Sequence, residues 1–133
     1  MADSTFNITF GDQSSASGSV GTDNLTIGGL MIRDQAIELA EQLSTEFVSE
    51  TGSSGLLGLA FGKINTVQPT PVKTPVENMI DQSDIFRDAE LFTAYLGSWR
   101  DIAERDQGKS FYTFGYIDQV CTRRLLGVIA SRC

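Results

Sequence analysis

The chain has 133 residues, 41 % of them hydrophobic and 20 % charged, which is enough apolar material for one domain and too much for a disordered chain. Its net charge of -7, from 10 basic and 17 acidic side chains, argues against a nucleic-acid partner, and no apolar run is long enough to span a membrane. Histidine is absent, which removes the commonest general base and the commonest zinc ligand together; neither a metal nor a cofactor is expected.

In chain order, Phe6 to Phe10 alternates apolar and polar residues and is predicted to be a half-exposed strand. Gly11-Asp12-Gln13-Ser14-Ser15 has turn chemistry, so Ala16 to Val20 is predicted to pair back as a hairpin. A further strand is expected at Asn24 to Ile27, stopped by Gly28-Gly29, with Leu30-Met31-Ile32 resuming beyond it. From Asp34 to Ser44 the signals conflict. Gln35 to Leu43 is rich in helix formers behind a capping aspartate, yet Ile37, Leu39, Glu41 and Leu43 also alternate on one side as in a strand.

Phe47 to Ser54 reads as a polar turn region. It leads into Gly55-Leu56-Leu57-Gly58-Leu59-Ala60-Phe61, the most apolar run in the chain. Seven residues are too few for a buried helix, so a strand buried on both faces is predicted, its glycines admitting a second backbone at close range. Asn65 to Lys73 is a loop with Pro69 and Pro71, and Thr74-Pro75-Val76-Glu77 has the form of a helix start. That helix should turn Val76, Met79 and Ile80 inward and end near Asp81 or Ser83. Leu91 to Leu96 and Phe111 to Ile117 are aromatic and β-prone, joined by a charged connection from Arg100 to Lys109.

Taken in order, three stretches resemble the N-terminal lobe of the pepsin-like aspartic endopeptidases, most closely the secreted fungal branch. They are Ile8-Thr9-Phe10-Gly11-Asp12-Gln13-Ser14-Ser15-Ala16-Ser17-Gly18, the Gly55 to Phe61 run, and Tyr112-Thr113-Phe114-Gly115-Tyr116-Ile117-Asp118; Asn65-Thr66-Val67-Gln68-Pro69 adds a local match. The resemblance spans about Phe6 to Gln119 and implies an all-β, incomplete barrel with one short helix: residues 1–119 as a partial lobe and 120–133 as a divergent tail. It also implies strand from Asp34 to Phe47, against propensity. By the same resemblance the first stretch is the flap that folds over a bound peptide, with Phe10, Gly11, Asp12 and Ser14 as its substrate-facing residues. Gly55, Leu56, Leu57 and Gly58 would belong to the strand that supports the active site from below. Peptide or protein is the substrate class so implied, and the family is secreted.

Departures from the family pattern carry as much information. The family places an aspartate from each lobe in an Asp-Thr-Gly or Asp-Ser-Gly triplet, and the pair shares a proton. Neither triplet occurs in this sequence, so no catalytic residue is assigned, and the chain is expected to be a truncated, non-catalytic fragment. Only nine residues precede Phe10, where the first triplet's strands would lie, and no second lobe follows. Glu50-Thr51-Gly52-Ser53 mimics a triplet, but its place in the order is the turn before the Gly55 run. Phe10 stands where tyrosine is usual, keeping the ring and losing a hydroxyl, and Gln13 replaces a glycine at the flap tip, which should stiffen the turn or change its type.

Asp81, Asp84, Asp88 and Glu90 do not have the spacing of a calcium loop and read as a solvated face. The tail from Val120 carries Arg123, Arg124 and Arg132 and no acid, and both cysteines, Cys121 and Cys133, lie in it. Such a shift is what translation of a retained intron or an altered frame would give; transcript sequencing across the junction that shows one spliced exon refutes it. A lobe without its first strands leaves edges unpaired, so self-association is expected. The alternative function is a decoy or inhibitor module that binds peptide or protease through the hairpin.

Overall fold

The computed structural model describes residues 3–49, 53–97, 100 and 109–118. The chain divides into two compact units, 1–84 and 85–133.

The first unit is organised on an antiparallel sheet of β1 (Thr5–Thr9), β2 (Ser15–Ile27) and β3 (Leu30–Leu43), in that order. Ile27 pairs with Leu30 across Gly28-Gly29, whose φ values of 57° and 87° are both positive, as a two-residue hairpin of this hand demands. The two predicted strands at Ala16–Val20 and Asn24–Ile27 are one long strand, because β3 is long enough to pair with both. The register slips between Asp23 and Leu25, where Asp34 adopts a left-handed φ of 53°. This bulge changes the parity of β3, so that Ile32 and Gln35, three apart, are both buried.

The helix formers of Gln35–Leu43 are strand throughout, since β2 offers a ladder partner along that length and a lone helix would not. The strand stops at Leu43, however. Thr45–Ser49 forms a short helix, α1, where both the strand reading to Phe47 and the turn reading from Phe47 fail. Ser44 explains the change: its N–H donates to the Ser15 carbonyl (2.9 Å) while its Oγ accepts from Ser15 N–H (3.0 Å), closing the ladder and releasing the chain.

Helix α2 (Pro75–Asp81) follows its sequence signature. Thr74 caps it, Pro75 occupies the first turn, and Glu77 completes a capping box. Met79 is fully buried, with Val76 and Ile80 half-buried. The apolar centre of the unit is Phe6, Val20 and Val67, flanked by Ile8, Ala16, Ala36 and Val72. Polar ties fix α2 on β3: Asn78 Nδ2 donates to Gln35 Oε1 (2.9 Å), and Gln35 Nε2 donates to the Lys73 carbonyl (3.3 Å). Gln82 clasps the Arg33 backbone, accepting from its N–H at 3.0 Å and donating to its carbonyl at 2.9 Å.

The Gly55 run corrects its prediction. Gly55, Leu56, Leu57 and Gly58 are exposed and in no strand, and nothing lies within 4 Å of where a Cβ would stand at either glycine. A strand exists only as part of a ladder, and no described segment pairs with this one. Close backbone approach occurs elsewhere, at Gly18. A Cβ there would lie 2.0 Å from the Leu39 carbonyl oxygen and 2.9 Å from Glu41 N.

In the second unit, β4 (Phe92–Tyr95) and β5 (Phe111–Phe114) form an antiparallel pair; β4 is one residue shorter at each end than predicted, while β5 starts at Phe111 as predicted and stops at Phe114, before Ile117. Cross-strand rings face each other: Phe92 with Phe114 at 6.4 Å and Tyr95 stacked on Phe111 at 5.1 Å. Thr93 and Thr113 share a hydroxyl hydrogen bond, and Thr113 is buried. Gly115, at a φ of 79°, ends β5 against Ile85. Glu50 and the tail from Val120, with both cysteines, lie outside the described residues.

Candidate functional site: the Phe10–Ser14 hairpin loop

Thr9 and Ser15 are the last ladder pair of β1 and β2, and Phe10 to Ser14 closes the hairpin between them. Phe10 N–H donates to the Ser14 carbonyl at 2.8 Å, and Gln13 N–H donates to the Phe10 carbonyl at 3.0 Å. The turn places Gln13 at a φ of 71°, in the left-handed region that a glycine would occupy without penalty.

Inside the loop, Asp12 Oδ1 accepts from both Ser14 Oγ (2.6 Å) and Ser14 N–H (3.0 Å). The Ser14 hydroxyl, then its N–H, stabilise the charged form, so Asp12 ionises below the ordinary aspartate range. Ser14 is buried, its two donors both committed to Asp12. Phe10 is half-buried and meets Phe47 of α1 edge-on at 5.5 Å. In place of a hydroxyl's hydrogen bond, the ring is held by that aromatic contact. Beside it, Glu46 is also held ionised below its ordinary range, chiefly by Ser44 and then by its own backbone N–H.

Phe10, Gly11, Asp12 and Ser14 are thus brought together in one loop. Gly55, Leu56, Leu57 and Gly58 are not part of it: Leu56 to Gly58 run along a separate shallow groove with Leu25, Ala36, Ile37 and Val72. Next to that segment lies a constellation that sequence reading found only in half. Glu77 was legible as the acid of a helix start, but its second oxygen reaches back to accept from Gly62 N–H at 2.9 Å while the first accepts from Thr74 N–H at 3.0 Å. A Cβ on Gly62 would lie 2.2 Å from that carboxylate, and only the residue type hints at it. Thr74 N–H and then Gly62 N–H lower the pKa of Glu77.

Asp12, Glu46 and Glu77 are all displaced in the same direction, toward the anion. That suits structural carboxylates and is opposite to what a general acid needs. Among the described residues no group of histidine, cysteine, aspartate or glutamate is placed to hold a metal ion. No helix among them is long and apolar enough to cross a membrane.

Residues 1–126 match the family model described as eukaryotic aspartyl protease. Aspergillopepsin-1 of Aspergillus oryzae is 44 % identical over 114 residues, covering 86 % of this chain and 26 % of that protein. Endothiapepsin of Cryphonectria parasitica is 39 % identical over 118 residues, covering 89 % of this chain and 25 % of that protein. Among solved structures, the aspartic proteinase from Irpex lacteus superposes with a TM-score of 0.70 at 25 % identity, covering 88 % of this chain and 33 % of that one. The chain therefore spans about a quarter of the length of the curated relatives it matches. With the family model matched over nearly its whole length and the partial lobe seen in the fold, the chain belongs to the eukaryotic aspartyl protease family.

Proposed function

We propose that this chain carries the substrate-covering part of a pepsin-like N-terminal lobe and does not cleave peptides by itself. Phe10, Gly11, Asp12 and Ser14 form the flap over a peptide or protein substrate, and Gly55 to Gly58 support the site from below once a neighbouring strand pairs with them. The observation that carries this reading is chemical. Acid proteolysis needs two carboxyl groups that share a proton, whereas the sequence has no Asp-Thr-Gly or Asp-Ser-Gly triplet. The three shifted carboxylates are moreover held as anions by N–H and O–H donors. The family activity, acid endoproteolysis, then requires acids from outside these residues. An extracellular setting goes with this reading, in keeping with the fungal relatives.

The test is acid-pH cleavage of a denatured protein substrate, with and without a transition-state inhibitor of aspartic proteases. No cleavage is expected. Inhibitor-sensitive cleavage would refute the proposal and make Glu50 the first residue to mutate.

A second reading, a decoy or inhibitor that pairs with an intact protease, is favoured by one feature: Leu56 and Phe61 are 71 % and 73 % exposed on an extended segment that lacks a partner among the described residues. Self-association through the same segment and the free sheet edge is the competing outcome. Pull-down against a fungal aspartic protease, alongside the chain's own sedimentation, separates them. Retention of the protease by a monomeric chain supports the decoy; dimers that retain nothing support self-association.

A further inference from the structure

Two Asn-x-Thr tripeptides occur in the sequence, Asn7-Ile8-Thr9 and Asn24-Leu25-Thr26. This is the acceptor pattern for N-linked oligosaccharide, and because it is short, presentation of the amide decides its worth. Asn24 stands opposite the β3 bulge: Asp23 pairs with Gln35 and Leu25 with Ile32, so Asn24 faces two residues, Arg33 and Asp34, and has no ladder partner. Its backbone N–H donates to Asp23 Oδ1 at 2.7 Å, and its own Oδ1 accepts from Asp34 N–H at 3.3 Å. Among the described residues the side chain is thus held by its oxygen alone. Nδ2, the atom that would carry a sugar, makes no hydrogen bond to any of them, and both Asn24 and Thr26 are exposed. Attachment there breaks no hydrogen bond to the described residues and keeps the bond from Asp34 N–H, whose residue is in the left-handed conformation. Asn7 is also exposed, but it lies within the β1–β2 ladder opposite Ser17, three residues before Phe10 opens the flap loop.

We propose that Asn24 is an N-glycosylation site. The proposal rests on the extracellular reading above, since the modification occurs on chains entering the secretory route. The donor is a lipid-pyrophosphate-linked oligosaccharide, used by a membrane oligosaccharyltransferase. The amide nitrogen of Asn24 attacks the anomeric carbon; the N–C bond forms as the C–O bond to pyrophosphate breaks. The lipid pyrophosphate leaves with the electron pair, and the amide proton passes to a base of the transferase.

The full chain is expressed in yeast behind a secretory leader, with a reporter acceptor tripeptide appended after Cys133. Chains carrying the reporter glycan are collected from cells and medium, so that only molecules exposed to the transferase are scored. Glycans are then released by an amidase in heavy-oxygen water, and peptides are mapped by mass. Asn24 should be recovered as labelled aspartate, and that label should vanish in Thr26→Ala, which leaves the Asn24 side chain in place. Recovery of Asn24 unlabelled, or labelling at Asn7 alone, overturns the proposal. Because the leader is supplied, failure here counts against the acceptor and not against the extracellular reading. That reading is tested separately, by looking for the unmodified gene product in the medium of its natural host.

Discussion

Glu77→Gln tests the account of how α2 is seated. The carboxylate serves two backbone donors, Thr74 N–H at 3.0 Å and Gly62 N–H at 2.9 Å, and Gly62 is buried. Glutamine has one acceptor oxygen, so one N–H must face an NH2 group, and the charge that strengthens both bonds is lost. A hydrogen bond to a charged group contributes about 1.5–3 kcal/mol, and a neutral replacement about half that. Partial exposure of the side chain trims the electrostatic share, which leaves an expected loss of about 1–2 kcal/mol at pH 7. The pH dependence has a defined sign. Glu77 titrates below 4.5 in the folded chain because the two N–H groups favour its anion. Its contribution is therefore complete above the unfolded value and is lost as pH falls through the folded one. Urea unfolding followed by far-UV circular dichroism at pH 7 and again at pH 3 reads both effects. The wild-type and Glu77→Gln midpoints should differ at pH 7 and converge in acid. Equal stability at pH 7, or a gap that survives unchanged to pH 3, would refute the reasoning.

Three other outcomes follow from the same geometry. Gly18→Ala places a Cβ 2.0 Å from the Leu39 carbonyl oxygen, a backbone atom that cannot swing aside, and should cost about 3 kcal/mol in the same unfolding assay. Gln13→Gly removes the left-handed penalty at a φ of 71° and should be neutral or stabilising by up to about 1 kcal/mol, since added freedom in the unfolded chain offsets part of the gain; destabilisation would mean that the glutamine side chain contributes to the turn. Leu56→Asp with Phe61→Asp puts charge on two exposed side chains, and by sedimentation should lower self-association without moving the unfolding midpoint. A shifted midpoint would mean that these side chains pack inside the fold.

Much of the fold was legible because several signals were local and agreed. Thr74, Pro75 and Glu77 announce α2 through capping chemistry alone, and the alternation at Phe6–Phe10 followed by Gly11–Ser15 announces the hairpin. Gln35–Leu43 was legible only through its resemblance, because its strand character comes from pairing with β2 residues 12 or more positions away, and not from its own residues. The burial of Gln35 was hidden for a related reason: a bulge at Asp34 resets the parity on which any period-2 reading depends. A Cβ would meet a neighbour below 3 Å at Gly18 and Gly62, while at Gly55 and Gly58, which looked the more telling in a row of leucines, it would meet nothing within 4 Å. Composition marks where a backbone is free to be approached. It does not supply the neighbour.

That distinction bears on function. Leu56, Leu57 and Phe61 have the side chains of a core strand and the exposure of a surface one, a combination that is costly in water and resolved when a second backbone pairs alongside. The Phe10–Ser14 hairpin loop is different in kind: its bonds run from Phe10 to Ser14 and from Ser14 to Asp12, and its outer ring rests on Phe47. Its one carboxylate accepts both Ser14 donors and is held as the anion, opposite to what a general acid needs. The proposed function therefore separates binding from chemistry in this chain. If the proposal is right, supplying a strand beside Leu56 should quench its exposed surface, as read by loss of binding to a hydrophobic dye, and still produce no cleavage. Cleavage would follow only when both aspartates of the proton-sharing pair are supplied as well.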